Sequence, residues 1–472
     1  MASTWVLLKR RIYFEHDASA SGGSRKSGEE LMGGASTGGS GEKSVGGASA
    51  GGSGEESVGG SRKESVGGAS GSGKEPMCGA GGIARGVPSP QDIADAILGY
   101  LQSLKPDARF AYPPELSALR ILRPTKSIPR LCGGVMSAFI ASADKNLVAL
   151  YAGPYRPGTN LKGGYLIYDA NKNTLSTIPK PPYDYSRDEL GVGAVVVDLV
   201  DTYLLCELTK IRNSEPLQAA LCTWEPSSPG WTVEVASFPP ELSPPNYFFN
   251  ADMCFSYQGS LLCWVDLFKG MVVYDMVKKG LVFSFIPLPP ECMAYDSGSQ
   301  RFEQPRRAEE YRSITCVGGC IKLVTMDGYG QRPGHELSLT IWTLSMDPNN
   351  RCWNQVNQYY VKDIWESKAY LSSGLPKIVP SFPVLSRDED DVVFLVVTHR
   401  NMALDGKVEY KDQHLLSVDI RHNKVSLRPH NTEQMDSQLL ASECSAYLQC
   451  LEDHKGKVKA RKVGASGKRV ML

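Results

Sequence analysis

The sequence predicts a mainly β fold: a β-propeller-like array of about five or six antiparallel four-stranded blades, with one or two peripheral helices. Three observations carry this: a strand-turn-strand phrase that recurs along the chain, proline stops after its copies, and further β-rich runs ahead of each copy. A blade cannot bury its own two faces, and radial stacking buries them while protecting strand edges. A β-sandwich pair of similar strand count is the alternative.

Taken in order, residues 1–14 hold Trp5-Val6-Leu7-Leu8 and Ile12-Tyr13-Phe14, β-formers expected to give a strand that joins the β domain. Residues 15–88 differ in kind. Of 47 glycines, 23 lie between residues 21 and 86, in a tandem unit of period 13 whose copies begin at Gly28, Gly41 and Gly54. One or two apolar side chains per unit cannot offset ordering entropy, so this Gly/Ser/Glu insertion is expected to be disordered. A coil of about 70 residues spans roughly 45 Å root-mean-square, enough for residues 1–14 to return to the folded part.

The β domain is assigned to residues 89–430. It opens on a helix, because Ser89-Pro90-Gln91-Asp92 offers an N-cap and a first-turn proline ahead of the stripe Ile93, Ala96, Ile97, Leu101 and Leu104. Pro106 is read as its end.

The clearest phrase is Cys263-Trp-Val-Asp-Leu-Phe-Lys-Gly270-Met-Val-Val-Tyr-Asp275, closing at Ile286-Pro-Leu-Pro-Pro290. Related runs lie at Tyr165–Leu175, Ala220–Val235, Leu339–Thr343 and Leu415–Ile420. Their anchors, 168, 224, 274, 342 and 418, are 56, 50, 68 and 76 residues apart, which suggests variable loops on a repeated core. Strand candidates precede them at Leu147–Tyr151, Ala194–Leu199, Tyr203–Leu208, Met253–Tyr257, Ile314–Val317, Ile321–Thr325 and Val392–Thr398. Residues 431–454, with Met435, Leu439, Leu440, Tyr447, Leu448 and Leu451 in a stripe, are expected to form an amphipathic helix. Residues 455–472 carry seven Lys and Arg and no acid, a basic disordered tail that could serve nuclear import.

Composition excludes more than it indicates. With 51 basic and 51 acidic side chains, no whole-chain field favours nucleic acid or an anionic membrane. No window approaches 18 uninterrupted apolar residues, and Lys9-Arg10-Arg11 interrupts the first apolar run, so neither a span nor a signal peptide is expected. Twelve scattered cysteines without a CxxC pair fit a reducing compartment, hence a cytoplasmic or nuclear location.

Chemistry is sparse. Gly68–Lys74 has phosphate-loop spacing, but Glu75 replaces the magnesium-binding hydroxyl and Pro76 stands where a helix must start. Asp388-Glu-Asp-Asp391 reads as a solvated hairpin tip, since a calcium loop needs spaced ligands. No catalytic, cofactor or metal residue is assigned. Arg312, Lys322 and His414, near strand ends, are the one polar set that could share a mouth.

Several of these residues carry a resemblance. Trp5-Val-Leu-Leu-Lys-Arg-Arg11, the Cys263–Gly270 block with Tyr274-Asp275, Ile286–Pro290 and Tyr311-Arg-Ser-Ile-Thr-Cys-Val-Gly-Gly-Cys-Ile-Lys322 resemble the plant family called domain of unknown function 1618, over residues 1–14 and roughly 110–430. The strand phrases are also similar to kelch and F-box-associated propellers. The resemblance implies an intracellular plant protein without assigned catalytic residues. The expected function is a non-catalytic protein-protein interaction module, with a ligand-binding or enzymatic propeller and a nuclear adaptor as alternatives.

Overall fold

A computed structural model describes residues 5–17, 89–124, 132, 135–153, 163–179, 181, 187–199, 201–242, 249–293, 307–347, 350–402, 408–429 and 439–442. The chain divides into Met1–Ser21 with Pro88–Leu472, and Gly22–Val87; every described residue lies in the first unit. The glycine-rich repeats and the basic tail fall outside the described residues.

The described residues are mainly β, with 26 strands and four α-helices. In chain order, β1 (Val6–Lys9) and β2 (Arg11–His16) precede α1 (Pro90–Gln102), β3 (Lys105–Arg109) and β4 (Leu116–Arg123). Then come β5 (Ser137–Asp144), β6 (Leu147–Ala152), β7 (Gly164–Asp169) and β8 (Thr174–Ile178). Next are β9 (Arg187–Glu189), β10 (Val195–Asp198), β11 (Tyr203–Ile211), β12 (Gln218–Trp224) and β13 (Thr232–Ser237). They are followed by β14 (Met253–Tyr257), β15 (Leu261–Asp266), β16 (Gly270–Asp275), β17 (Phe283–Pro287) and α2 (Pro290–Met293). After these stand β18 (Arg312–Val317), β19 (Cys320–Asp327), β20 (Ser338–Leu344), β21 (Trp353–Tyr360), α3 (Val361–Glu366) and α4 (Lys368–Ser373). The last are β22 (Ser381–Leu385), β23 (Val392–Met402), β24 (Val408–Asp419), β25 (Lys424–Pro429) and β26 (Leu439–Ser442).

Strands β14–β17, β18–β21 and β22–β25 form three four-stranded antiparallel sheets in sequence order, and β10–β13 form a fourth with β9 beside β11. The remaining sheet follows the path β26-β1-β4-β2-β5-β6-β7-β8, with β3 on β4. Half of it, β5–β8, repeats the sequential antiparallel pattern. The other half gathers distant segments: β1 pairs antiparallel with β26 and parallel with β4, while β2 bridges β4 to β5.

All five anchors of the recurring phrase, Tyr168, Trp224, Tyr274, Trp342 and Val418, fall on the third strand of a sequential antiparallel set of four. The proline stops have a packing role as well. Trp231 Nε1 donates to the Pro179 carbonyl at 2.8 Å, and Trp353 Nε1 to the Pro287 carbonyl at 2.8 Å, so tryptophans entering two fourth strands bond the end of the preceding sheet.

The core is six clusters, five of them between two sheets and one between the two halves of the nine-stranded sheet. Val6 and Leu8 meet Ile140, Val148 and Leu150, with Ile97 and Leu101 of α1. Ala149, Tyr151 and Tyr165 meet Val196 and Leu205. Val197, Leu208 and Leu221 meet Leu262, Trp264 and Val272. Cys263, Val265 and Met271 meet Ile314, Ile321 and Leu323. Val324, Leu339 and Ile341 meet Val393, Leu395 and Leu416. The sixth joins the last sheet back to the start, as Val384, Phe394 and Val396 meet Trp5, Leu7 and Leu439. Alternate side chains of one strand serve two interfaces, which is why the interior strands read as continuous apolar runs.

First strands lie side by side and run the same way. Ser142 Oγ donates to the Ala194 carbonyl and accepts from Val196 N, Asp144 accepts from Asp198 N, and Cys254 Sγ donates to the Ala141 carbonyl. The connections therefore sort into two faces. One holds the turns between first and second and between third and fourth strands; the other holds the connections between second and third strands, from the tight β15–β16 turn to longer loops, and the segments carrying α2, α3 and α4.

α1 forms where expected, with Ser89 Oγ accepting from Asp92 N and Asp92 Oδ2 accepting from Ser89 N. The segment from Leu439 to Ser442 corrects the helix expected over 431–454. It is a strand in which Leu439 and Ala441 enter the sixth cluster while Leu440 packs on the first. Neighbouring leucines fit two-sided strand burial as well as a helical stripe, and tertiary pairing with β1 decides. The rest of that range lies outside the described residues.

Candidate functional site

A buried polar region lies on the loop face around the Cys263–Gly270 run. β15 ends in Asp266, whose Oδ1 accepts from Phe268 N at 2.9 Å and Oδ2 from Asn250 N at 3.0 Å. Lys269 Nζ lies 3.7 Å from the same carboxylate. Gly270 follows at φ +154°, where an added Cβ would stand 2.3 Å from the Ile286 carbonyl oxygen; only glycine lets β16 approach β17 here.

A relay of hydrogen bonds extends from this turn. Arg10, 1% exposed, donates from Nε to the Ile140 carbonyl and from Nη1 to the Asp252 carbonyl, both at 3.1 Å, and its guanidinium lies 4.3 Å from the Phe139 ring centre. Asp252 Oδ2 accepts from Leu267 N at 3.0 Å. Arg312 donates from Nη1 to the Leu267 carbonyl at 2.7 Å and from Nη2 to the Cys292 carbonyl at 2.6 Å. Buried guanidinium groups thus tie β1–β2, β5, the start of β14, the β15–β16 turn and α2 into one network, two nitrogens of each arginine meeting backbone carbonyls.

Beside Arg312 is a small aromatic cleft. The Tyr311 and Tyr329 rings stack at 5.1 Å, Phe268 meets Tyr311 edge-on at 6.4 Å, and Arg312 lies 5.3 Å from the Tyr311 centroid. Asp327 and Gln331 complete its lining. Asp327 accepts from Thr325 Oγ1 at 2.8 Å and Thr340 Oγ1 at 2.5 Å. A second cleft, of about 50 Å³, opens on the turn face among first strands, lined in part by Asp144, Ser256, Thr315, Cys316 and Arg387. Burial raises the Asp144 carboxyl above its usual range, against hydrogen bonds from Asp198 N and Ser256.

The sequence-derived set is not brought together. Arg312 lies opposite Thr325 and Lys322 opposite Thr315, three residues apart along β18–β19. Lys322 turns to the other face, 2.9 Å from Asp390. His414 sits on β24 opposite Val397, its Nδ1 buried without a hydrogen-bond partner, and burial lowers its pKa. The run 388–391 lies in the β22–β23 connection with Asp388, Glu389 and Asp390 exposed, as expected of a solvated hairpin tip, and it makes contacts that the reading did not include. Asp390 binds Lys322, and Asp391 accepts from Asn357 and lies 3.2 Å from Arg421, so the turn clamps two sheets. Asp169, Asp275 and Asp419 all accept backbone N–H bonds from the turn they begin.

Sequence reasoning missed Arg10 and Asp252. Arg10 lay inside a basic triplet read as an interruption, and Asp252 in a loop without pattern. Among the described residues no group of three or more His, Cys, Asp or Glu is arranged to hold a metal, and no helix is long and apolar enough to cross a membrane.

The sequence model of the family described as "Protein of unknown function (DUF1618)" matches residues 264–394. That segment belongs to DUF1618. The DUF1618 segment opens on Trp264, contains the β15–β16 turn, Arg312 and the aromatic cleft, and closes on Phe394 in β23. A search of curated proteins gave no match. Among solved structures, the chain is similar to an α-L-arabinofuranosidase from Podospora anserina at 13% identity, covering 54% of this chain and 72% of that one, with a TM-score of 0.27. It is also similar to an exo-1,5-α-L-arabinanase from a bovine ruminal metagenomic library (11%, 62% and 98%, 0.26) and a Synechocystis ACO mutant (9%, 61% and 59%, 0.30). Likenesses at these scores carry no argument about this chain.

Proposed function

We propose that the six clusters close a ring, a six-bladed β-propeller whose composite blade is β26-β1-β4-β3, and that this ring is a non-catalytic protein-interaction module. One observation carries the reading: Arg10, Asp252, Asp266 and Arg312, each no more than 4% exposed, bond the ring's own backbone. Beside them the half-buried Phe268, Tyr311 and Tyr329 offer an aromatic surface on the face with the longer loops. Loops on a rigid scaffold and aromatic anchors are features of recognition surfaces.

The test compares partners recovered by the full chain and by Tyr329→Ala, with circular dichroism confirming that both fold. A partner that binds the full chain and is lost from the variant is the expected result. Equal recovery by both would remove the surface.

A ligand-binding or enzymatic reading rests on the turn-face cleft and its Asp144. Turnover or saturable binding of a small molecule, lost in Asp144→Asn, would establish it instead. Nuclear location is proposed from residues 455–472, whose deletion is expected to abolish nuclear accumulation of a fluorescent fusion; unchanged distribution would refute it.

A further inference from the structure

The geometry points to a second copy of this chain as a partner, through exchange of the N-terminal strand into the slot between β26 and β4. Three observations support it. First, the segment Trp5–Arg10 is bound like a ligand. Trp5, Val6, Leu7, Leu8 and Arg10 are each no more than 2% exposed, with side chains in two different clusters.

Second, β1 is hydrogen-bonded on both edges to strands that do not touch it in sequence. It is antiparallel to β26 at Val6↔Ser442 through Lys9↔Leu439, and parallel to β4 at Leu7↔Leu116. β26 and β4 therefore define a strand-wide slot whose walls exist apart from β1. Third, 71 residues separate Asp17, where the first described stretch ends, from Ser89. At up to roughly 3.3–3.6 Å each, they have ample contour to reach the slot of a neighbour.

β2, joined to β1 through Arg10 alone and paired with β4 and β5, travels with it. Every contact of both strands would be kept in the exchanged form, because the two acceptor sites are identical, so the two arrangements differ mainly in how often the tethered segment finds its own site. A long connection lowers that local concentration below the millimolar values of short linkers. Exchange of an identical element is a low-cost route to a dimer. The chain is accordingly monomeric at micromolar concentration and forms a reciprocal dimer as concentration approaches the millimolar range.

The test uses full-length chains. Leu8 and Leu440 are paired in register and pack on the same cluster. Leu8→Cys and Leu440→Cys chains are mixed at increasing concentration and oxidised. A covalent heterodimer that rises with concentration is expected, and is absent when either variant is alone. The double variant should close within one chain, which shows that the pair can bond. A double variant that closes while the mixture stays uncrosslinked would overturn the proposal. Sedimentation of the unaltered chain reads the same equilibrium without substitutions. Monomer at every concentration, or a dimer that survives excess synthetic peptide of residues 2–17, would also overturn it.

Discussion

The sheet β14–β17 and the composite group β26-β1-β4-β3 both place large apolar side chains in the core, by opposite routes. In the first, Met253 faces Val265 across a hairpin; in the second, Leu8 faces Leu440 across nearly the whole chain. Trp264 and Trp5 are each buried on their respective sheets, at 1% and 2% exposure. The difference teaches that equal burial need not mean equal folding history. The hairpin sheet closes short loops, whereas the composite group must meet a long closure before its contacts repay it.

The largest expected effects test whether the composite group is as much a part of the core as the hairpin sheet. Trp264→Ala and Trp5→Ala should each cost about 3–5 kcal/mol in urea unfolding, as large aromatics removed from packed sites do. A Trp5→Ala cost under about 1 kcal/mol would make the composite group an accessory. Arg10→Ala and Arg312→Ala come next, each stripping donors from two buried carbonyls at about 1–3 kcal/mol. Arg10→Lys should recover little, since an ammonium cannot reproduce the planar fork. If Arg312→Ala is costly and Arg10→Ala is silent, the relay does not reach the N-terminal segment.

Smaller effects sharpen the contrast. Trp353→Phe, which removes the bond to the Pro287 carbonyl and part of the ring packed on the fourth cluster, should cost about 1 kcal/mol or somewhat more and leave the sheets intact by circular dichroism. Lys9 of β1 gives a pH signature. Burial lowers its pKa to about 8 from 10.5, so the folded state disfavours its charged form. Between about pH 8 and 10.5 the unfolded chain binds the extra proton, and this group makes stability rise with pH. Lys9→Met should therefore stabilise the chain at pH 7 and flatten that rise, read from denaturation midpoints at pH 7, 8 and 9.5. An unchanged pH profile would place Lys9 in water.

Legibility followed the same division. The recurring phrases marked third strands because Tyr168, Tyr274 and Trp342 sit on β-rich runs between tight turns, a local signal. β3, β4 and β26 carry no such signal. Pro106, read as a helix stop, is in edge strand β3, where a missing N–H is tolerated. Leu439 and Leu440 fit either period, and only the distant Leu8 and Lys9 settle which. The site was less legible still. Asp266 lies within the recurring phrase, yet its bond to Asn250 N, and the chain from Arg10 through Asp252 to Arg312, depend on contacts that the local pattern does not encode. Arg312 was singled out for a position near a strand end and turned out to hold backbone carbonyls of a neighbouring sheet.

The pairing of β1 with β26 also has a consequence in time. Synthesis proceeds at about 5–20 residues per second, so β1 emerges roughly 20–90 s before its partner at residues 439–442. Over that interval Trp5, Leu7 and Leu8 lack a wall, and a chain stopped short of Leu439 never supplies it. The last described strand therefore completes, late in synthesis, the pairing that holds β1.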